Sequence, residues 1–344
     1  MHTPLRLLLT AIFDYAGLFP PAGLPLAESA ANFVRYRQSS EEWMLSRMVI
    51  PAGQLAALDE WVVAQQPPVA GPLPLSVILS GDDNADSFVA SLEPAWQQLA
   101  AVQEKAHERM LANCYEVRLP AAVVSEGQRA VVQLLETLDA TAESHGVRPA
   151  AWFCEAPDVP DWEAAMNHLL AGIELIEAVM PPWRLPEQNR PEMIAAFYDR
   201  RPVFAEAPRP YVAPFFFKLR TGGLEPSAVP STTRLARTIQ LLAQKKRYWK
   251  ATAGLHHPLR NHDAQLGCLT HGFMNVLLAD IAARHDQADE QQLVAILEQE
   301  SVALLDNPLI WAEHPQPAML RGLLSIGSCS FDEPRADLAA LGLM

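Results

Sequence analysis

Eight short β-prone runs alternate with helical stretches along the chain, and this alternation constrains the fold more than any other feature. The runs at 44–50, 75–79, 114–119, 151–155, 215–219, 248–252, 273–279 and 323–328 are apolar and end at turn residues. Between them, 85–109, 125–145, 162–179, 231–245 and 290–305 show helical patterning. Strands separated by helices pair in parallel through crossovers. Eight of them predict an α/β fold of the (β/α)8 type, a TIM-like barrel. An open doubly wound sheet is the alternative, but no glycine-rich dinucleotide fingerprint follows an early strand.

Two segments interrupt the pattern in what otherwise reads as a single domain over 1–344. Residues 1–40 form an N-terminal extension containing Asp14-Tyr15-Ala16-Gly17-Leu18-Phe19-Pro20-Pro21-Ala22, with no evident strand partner. This loop is expected to cover the barrel mouth, as a lid or as a contact from a neighbouring subunit; a plug at the barrel bottom is the alternative. Residues 180–214 are rich in proline and arginine and too long for a simple connection. They read as an insertion before the fifth strand, packing outside or lending a homo-oligomer contact.

Composition narrows the partners. A formal charge of −14 argues against a nucleic-acid surface, which needs a clustered excess of Lys and Arg. The one dense basic run, Lys245-Lys246-Arg247, suits a solvated helix end. A few local cations are enough to hold a small anionic substrate. Cys114, Cys154, Cys268 and Cys329 lie far apart without a CxxC pair, as expected of thiols in a reducing, cytoplasmic compartment. No apolar stretch is long enough to span a membrane. The apolar run after Arg6 is short and stops at Asp14, without the cleavage site of a signal peptide.

One internal similarity points to chemistry. Phe217-Lys218-Leu219-Arg220-Thr221-Gly222-Gly223 and Trp249-Lys250-Ala251-Thr252-Ala253-Gly254 share an aromatic residue, lysine, threonine and glycine in the same order. The lysines are 32 positions apart, about one β/α unit, and each stands where a strand ends, the usual place for barrel catalysis. Two confined ammonium groups repel, so one lysine is expected to lose its proton readily and to serve as a nucleophile. The alternative is that both are charge partners of carboxylates such as Glu116 or Glu155.

Other candidates surround them. His256-His257-Pro258 follows Lys250, with one histidine expected to face the site as acid, base or ligand and Arg260 to hold an anion. His271 and Asn275 are placed on one face of the strand expected at 273–279, with a structural histidine as the alternative. Strand alternation puts Glu116 with Arg118, and Lys218 with Arg220, on common faces, with Arg47 and Glu155 placed comparably. These charges form either a substrate cage or a polar core network. Gly327-Ser328 opens the final helix and suits a phosphate or carboxylate; a simple helix cap by Ser330 through Glu333 is the other reading.

The two lysine motifs, with Ile326-Gly327-Ser328, resemble class I aldolases of the deoxyribose-phosphate aldolase type. That resemblance implies a Schiff base on Lys218, a partner lysine at Lys250 and a phosphate turn at Gly327. Two departures stand against a full match: Arg220 replaces a small residue beside the nucleophile, and about 75 residues separate Lys250 from the Gly327 turn. The Asp14–Ala22 loop and both lysine motifs together also resemble a bacterial protein family to which no activity is attached.

The expectation is an aldolase- or lyase-like enzyme for a small anionic carbonyl or sugar-phosphate compound, without cofactor or metal. Lys218, Lys250, His256, His257 and Glu155 would carry the chemistry. Arg220, Thr221, Arg260, Glu116, Arg118, Gly327, Ser328 and Asp14 would hold the substrate. The alternatives are a metal-dependent lyase or hydrolase using Glu116, Glu155, His256 and His271, and a non-catalytic metabolite-binding barrel.

Overall fold

The computed structural model describes residues 3–179, 213–308 and 321–344. Almost all of the insertion expected at 180–214 lies outside the described residues. Eight parallel strands close a barrel: β1 (Phe13–Tyr15), β2 (Leu45–Pro51), β3 (Leu73–Leu79), β4 (Met110–Arg118), β5 (Ala151–Glu155), β6 (Phe215–Arg220), β7 (Trp249–Thr252) and β10 (Leu323–Ser328). The order around the barrel is β1-β10-β7-β6-β5-β4-β3-β2. A separate antiparallel pair, β8 (Asn261–Asp263) and β9 (Cys268–Thr270), follows β7. The (β/α)8 expectation therefore holds, with two corrections to how the eight strands are counted.

The first correction concerns 273–279. This run is the start of a helix, Phe273–His285, entered from Gly272. Ten consecutive residues from Phe273 to Ala282 are buried, so the segment lacks the one-sided apolar face that marks a surface helix. His271 and Asn275 accordingly do not share a strand face.

The second correction concerns the N-terminus. Phe13–Tyr15 was expected to have no strand partner, yet it pairs parallel with β10, placing Phe13 beside Ile326 and Asp14 beside Gly327. Three residues are too few to display a strand period. The expected lid residue Asp14 is therefore a buried strand residue.

The chain divides into two compact units, Met1–Ser46 with Leu219–Met344, and Arg47–Lys218. The second contains a continuous ladder in which Ile78 lies beside Glu116, Arg118 beside Glu155, and Glu155 beside Lys218. Its outer strand faces are aromatic: Trp152 stacks on Phe215 and meets Tyr115 edge-on. In the first unit, one carboxylate fastens a helix to two strands. Asp280, fully buried on helix Phe273–His285, accepts from Trp249 Nε1 at 2.8 Å, Gly322 N at 2.6 Å and Leu323 N at 3.0 Å. Arg284 Nε, one turn along the same helix, donates a fourth bond at 3.2 Å, so the buried carboxylate is well partnered.

Candidate active site

Lys218 is the last of four consecutive buried residues on β6, 6% exposed. Its Nζ lies 3.0 Å from Glu116 Oε2 and 3.0 Å from Glu155 Oε2. Glu116 is held in turn by Ser76, whose Oγ donates to Oε1 at 2.6 Å. All four residues stand on β3 to β6, toward the C-terminal ends where barrel chemistry is built. Burial pushes the Lys218 amine toward neutrality, but the charges of Glu116 and Glu155 outweigh it and hold its pKa above the ordinary lysine value. The readily deprotonated amine expected from the sequence is thus not what Lys218 presents at rest; its partners are the carboxylates of the alternative reading.

Lys250 forms a second cluster of similar composition. Its Nζ is 2.7 Å from Asp14 Oδ2, which also accepts from Ser325 Oγ at 2.7 Å. These side chains come from β7, β1 and the intervening β10, and all are buried. Each motif lysine therefore meets a carboxylate that also accepts from a serine hydroxyl. Ser76 and Ser325 were missed in the sequence; each is a hydroxyl flanked by apolar residues inside its strand, which was the available signal.

The turns after the two lysines are locked together by their own backbone. Thr221 N donates to Thr252 O at 2.8 Å, and Thr221 Oγ1 to Ala253 O at 2.6 Å. A Cβ on Gly222 would lie 2.8 Å from Gly254 Cα, and Gly254 has a φ of +77°. The shared Thr-Gly pattern thus serves close approach of two turns, and Thr221 spends its hydroxyl there.

Several expected site residues point elsewhere. Arg118 is exposed and pairs with Asp83 at 3.1 Å, so it does not share the inward setting of Glu116. Arg220 is also exposed, unlike Lys218, while Arg47 is buried on β2. His256 Nδ1 meets Glu333 Oε2 at 3.0 Å, and His257 Nδ1 meets Asp337 Oδ2 at 2.6 Å, both on the final helix Asp332–Ala340. Arg260 donates its backbone N–H to Asn275 Oδ1 at 2.9 Å, while Asn275 Nδ2 donates to Ile296 O and Gln299 O. His271 bonds Pro230 O through Nε2 and is buried, which lowers its pKa. Ser328 donates to Ser330 O, and Ser330 Oγ accepts from Glu333 N, so the Gly327 turn is tied into the helix cap. Asp332, at the start of that helix, is held by Arg35, Tyr36 and Arg335.

Comparison with protein-family models, curated proteins and solved structures gave no match to this chain. Among the described residues, no three His, Cys, Asp or Glu side chains are gathered to hold a metal ion. No helix among them is long and apolar enough to cross a membrane.

Proposed function

We propose that this chain is a lyase-like enzyme acting on a small anionic carbonyl compound, with Lys218 as the reacting amine. One observation carries the reading: a buried ammonium lies within 3.0 Å of two buried carboxylates at the ends of adjacent barrel strands. Such a cluster is expensive to desolvate and adds little to stability compared with apolar packing. Perturbed, buried charge at this end of a barrel is characteristic of sites that move protons.

The chemistry follows from the contacts. Lys218 must first give a proton to Glu116 or Glu155. The neutral Nζ then attacks the carbonyl carbon, forming a carbinolamine. A proton returned by the carboxylic acid to the hydroxyl releases water and leaves an iminium. The iminium accepts the electron pair of a cleaved carbon–carbon bond, and the second carboxylate takes the proton from the departing hydroxyl.

Borohydride trapping tests this directly. The full-length protein, incubated with a panel of small keto acids and aldehydes, should acquire a stable adduct that peptide mapping locates on Lys218. Lys218→Met should abolish it. An adduct on Lys250 would move the reaction to the Asp14–Lys250–Ser325 cluster. Adducts spread evenly over surface lysines would end the covalent proposal and favour a charge-paired binding barrel.

A further inference from the structure

The histidine loop after β7 meets a sulfur that the lysine chemistry does not use. Cys329 is the residue that follows β10, and its Sγ lies 3.8 Å from Nε2 and 3.9 Å from Nδ1 of His256. Glu333, in the first turn of the final helix, takes the Nδ1 contact at 3.0 Å. Strand exit, loop and helix thus bring a thiol, an imidazole and a carboxylate together in that order. Cys329 is 9% exposed, so a reagent that reaches it must be small.

The electrostatics agree with the geometry. Burial lowers the His256 pKa, but contacts with Cys329 and Glu333 outweigh it and push it up to about 10. The hydrogen bond to His256 holds the Glu333 carboxyl below its ordinary value. The other titratable groups acting on this cluster are Asp263 of β8, His257 of the same loop and the Tyr15 hydroxyl of β1. At neutral pH the sulfur accordingly lies against an imidazolium, the setting in which cysteines react as thiolates.

We infer that Cys329, His256 and Glu333 form an oxidation site for small hydroperoxides. The sulfur attacks the terminal peroxide oxygen; an S–O bond forms and the O–O bond breaks. Sulfur gives two electrons to the peroxide and becomes a sulfenic acid. The departing oxyanion takes the proton of the His256 imidazolium and leaves as water or an alcohol. Glu333 is a positioning residue that orients the ring and stabilises its charge.

The test uses the full chain, hydrogen peroxide and a 1,3-diketone that captures sulfenic acids, with peptide mapping. Cys329 should be captured in preference to Cys268, which is more exposed and serves as an internal control. Iodoacetamide labelling followed against pH gives the second readout. At about pH 6, Cys329 should be labelled roughly tenfold faster than Cys268. His256→Gln should restore the steep pH dependence of an ordinary thiol, and Glu333→Gln should do so in part. Capture at Cys268 first, no labelling of Cys329, or an ordinary-thiol profile for wild-type Cys329 would each overturn the inference. The wild-type profile decides the matter even if a variant fails to fold.

Discussion

Lys218 is pulled in two directions, since burial favours its neutral form while Glu116 and Glu155 favour the ammonium and prevail. Its folded pKa is raised, so the triad's contribution to stability is complete below the ordinary lysine pKa and fades as pH rises through the folded value. Removing one carboxylate should shift that balance. Glu155→Gln is expected to lower the pH midpoint for borohydride trapping at Lys218, and an unchanged midpoint would show that Glu155 does not hold the proton. Lys218→Met leaves two carboxylates buried together, a loss of about 3–5 kcal/mol in urea unfolding at neutral pH. That deficit should shrink on acidification as the carboxylates protonate. His256 follows the same sign over a different range. Its contribution is complete below the ordinary imidazole value of 6.5 and is lost as pH rises through about 10. The melting-temperature gap between wild type and His256→Gln should therefore narrow across that interval. At this scale strand alternation put Lys218, Glu116 and Glu155 on inward faces, but it put Arg118 and Arg220 there as well, and both are exposed. The sequence also named Glu116 and Glu155 as the alternative partners of the lysines, as Lys218 bears out, but not Asp14 for Lys250, because that pair joins residues more than two hundred positions apart.

Among the elements, legibility depended on length and on one-sidedness. β5 and β10 carry the bounds expected from their apolar runs, since each is bracketed by turn residues. β1 was too short to read, and helix Phe273–His285 was buried too completely to show a period. Asp280 lies beyond the run at 273–279 that reads as a strand, yet it is the side chain that fixes that helix in place. Asp280→Ala would strand the Trp249 indole and two backbone N–H groups without their acceptor. Buried donors left unsatisfied cost about 1–3 kcal/mol each, so this variant should unfold well below wild type in a thermal melt. Asp280→Asn keeps one acceptor oxygen and should lose less. At the paired turns, Gly222→Ala pushes a methyl group into the Gly254 backbone, where no flexible side chain can yield. An overpacking cost of about 1–3 kcal/mol is expected, measurable as a lower melting temperature.

Across the whole molecule, the chain order and the contact order disagree. One compact unit is assembled from residues before Ser46 and after Leu219, while the other is the uninterrupted stretch between them. β1 finds its neighbour β10 only after about 310 intervening residues, and Asp14 finds Ser325 across the same span. During synthesis, Phe13–Tyr15 leaves the ribosome near the beginning and must wait for the last strand. At roughly 5–20 residues per second, that interval is on the order of 15–60 s. For that time an apolar segment carrying Asp14 is without the Ser325 hydroxyl and the strand that will pair with it. A nascent chain arrested before Leu323 should therefore remain open to proteolysis around Phe13, and release of the full chain should close that window. The earliest piece of the protein to be made would then be among the last to be placed, which makes this stretch a natural client for a chaperone.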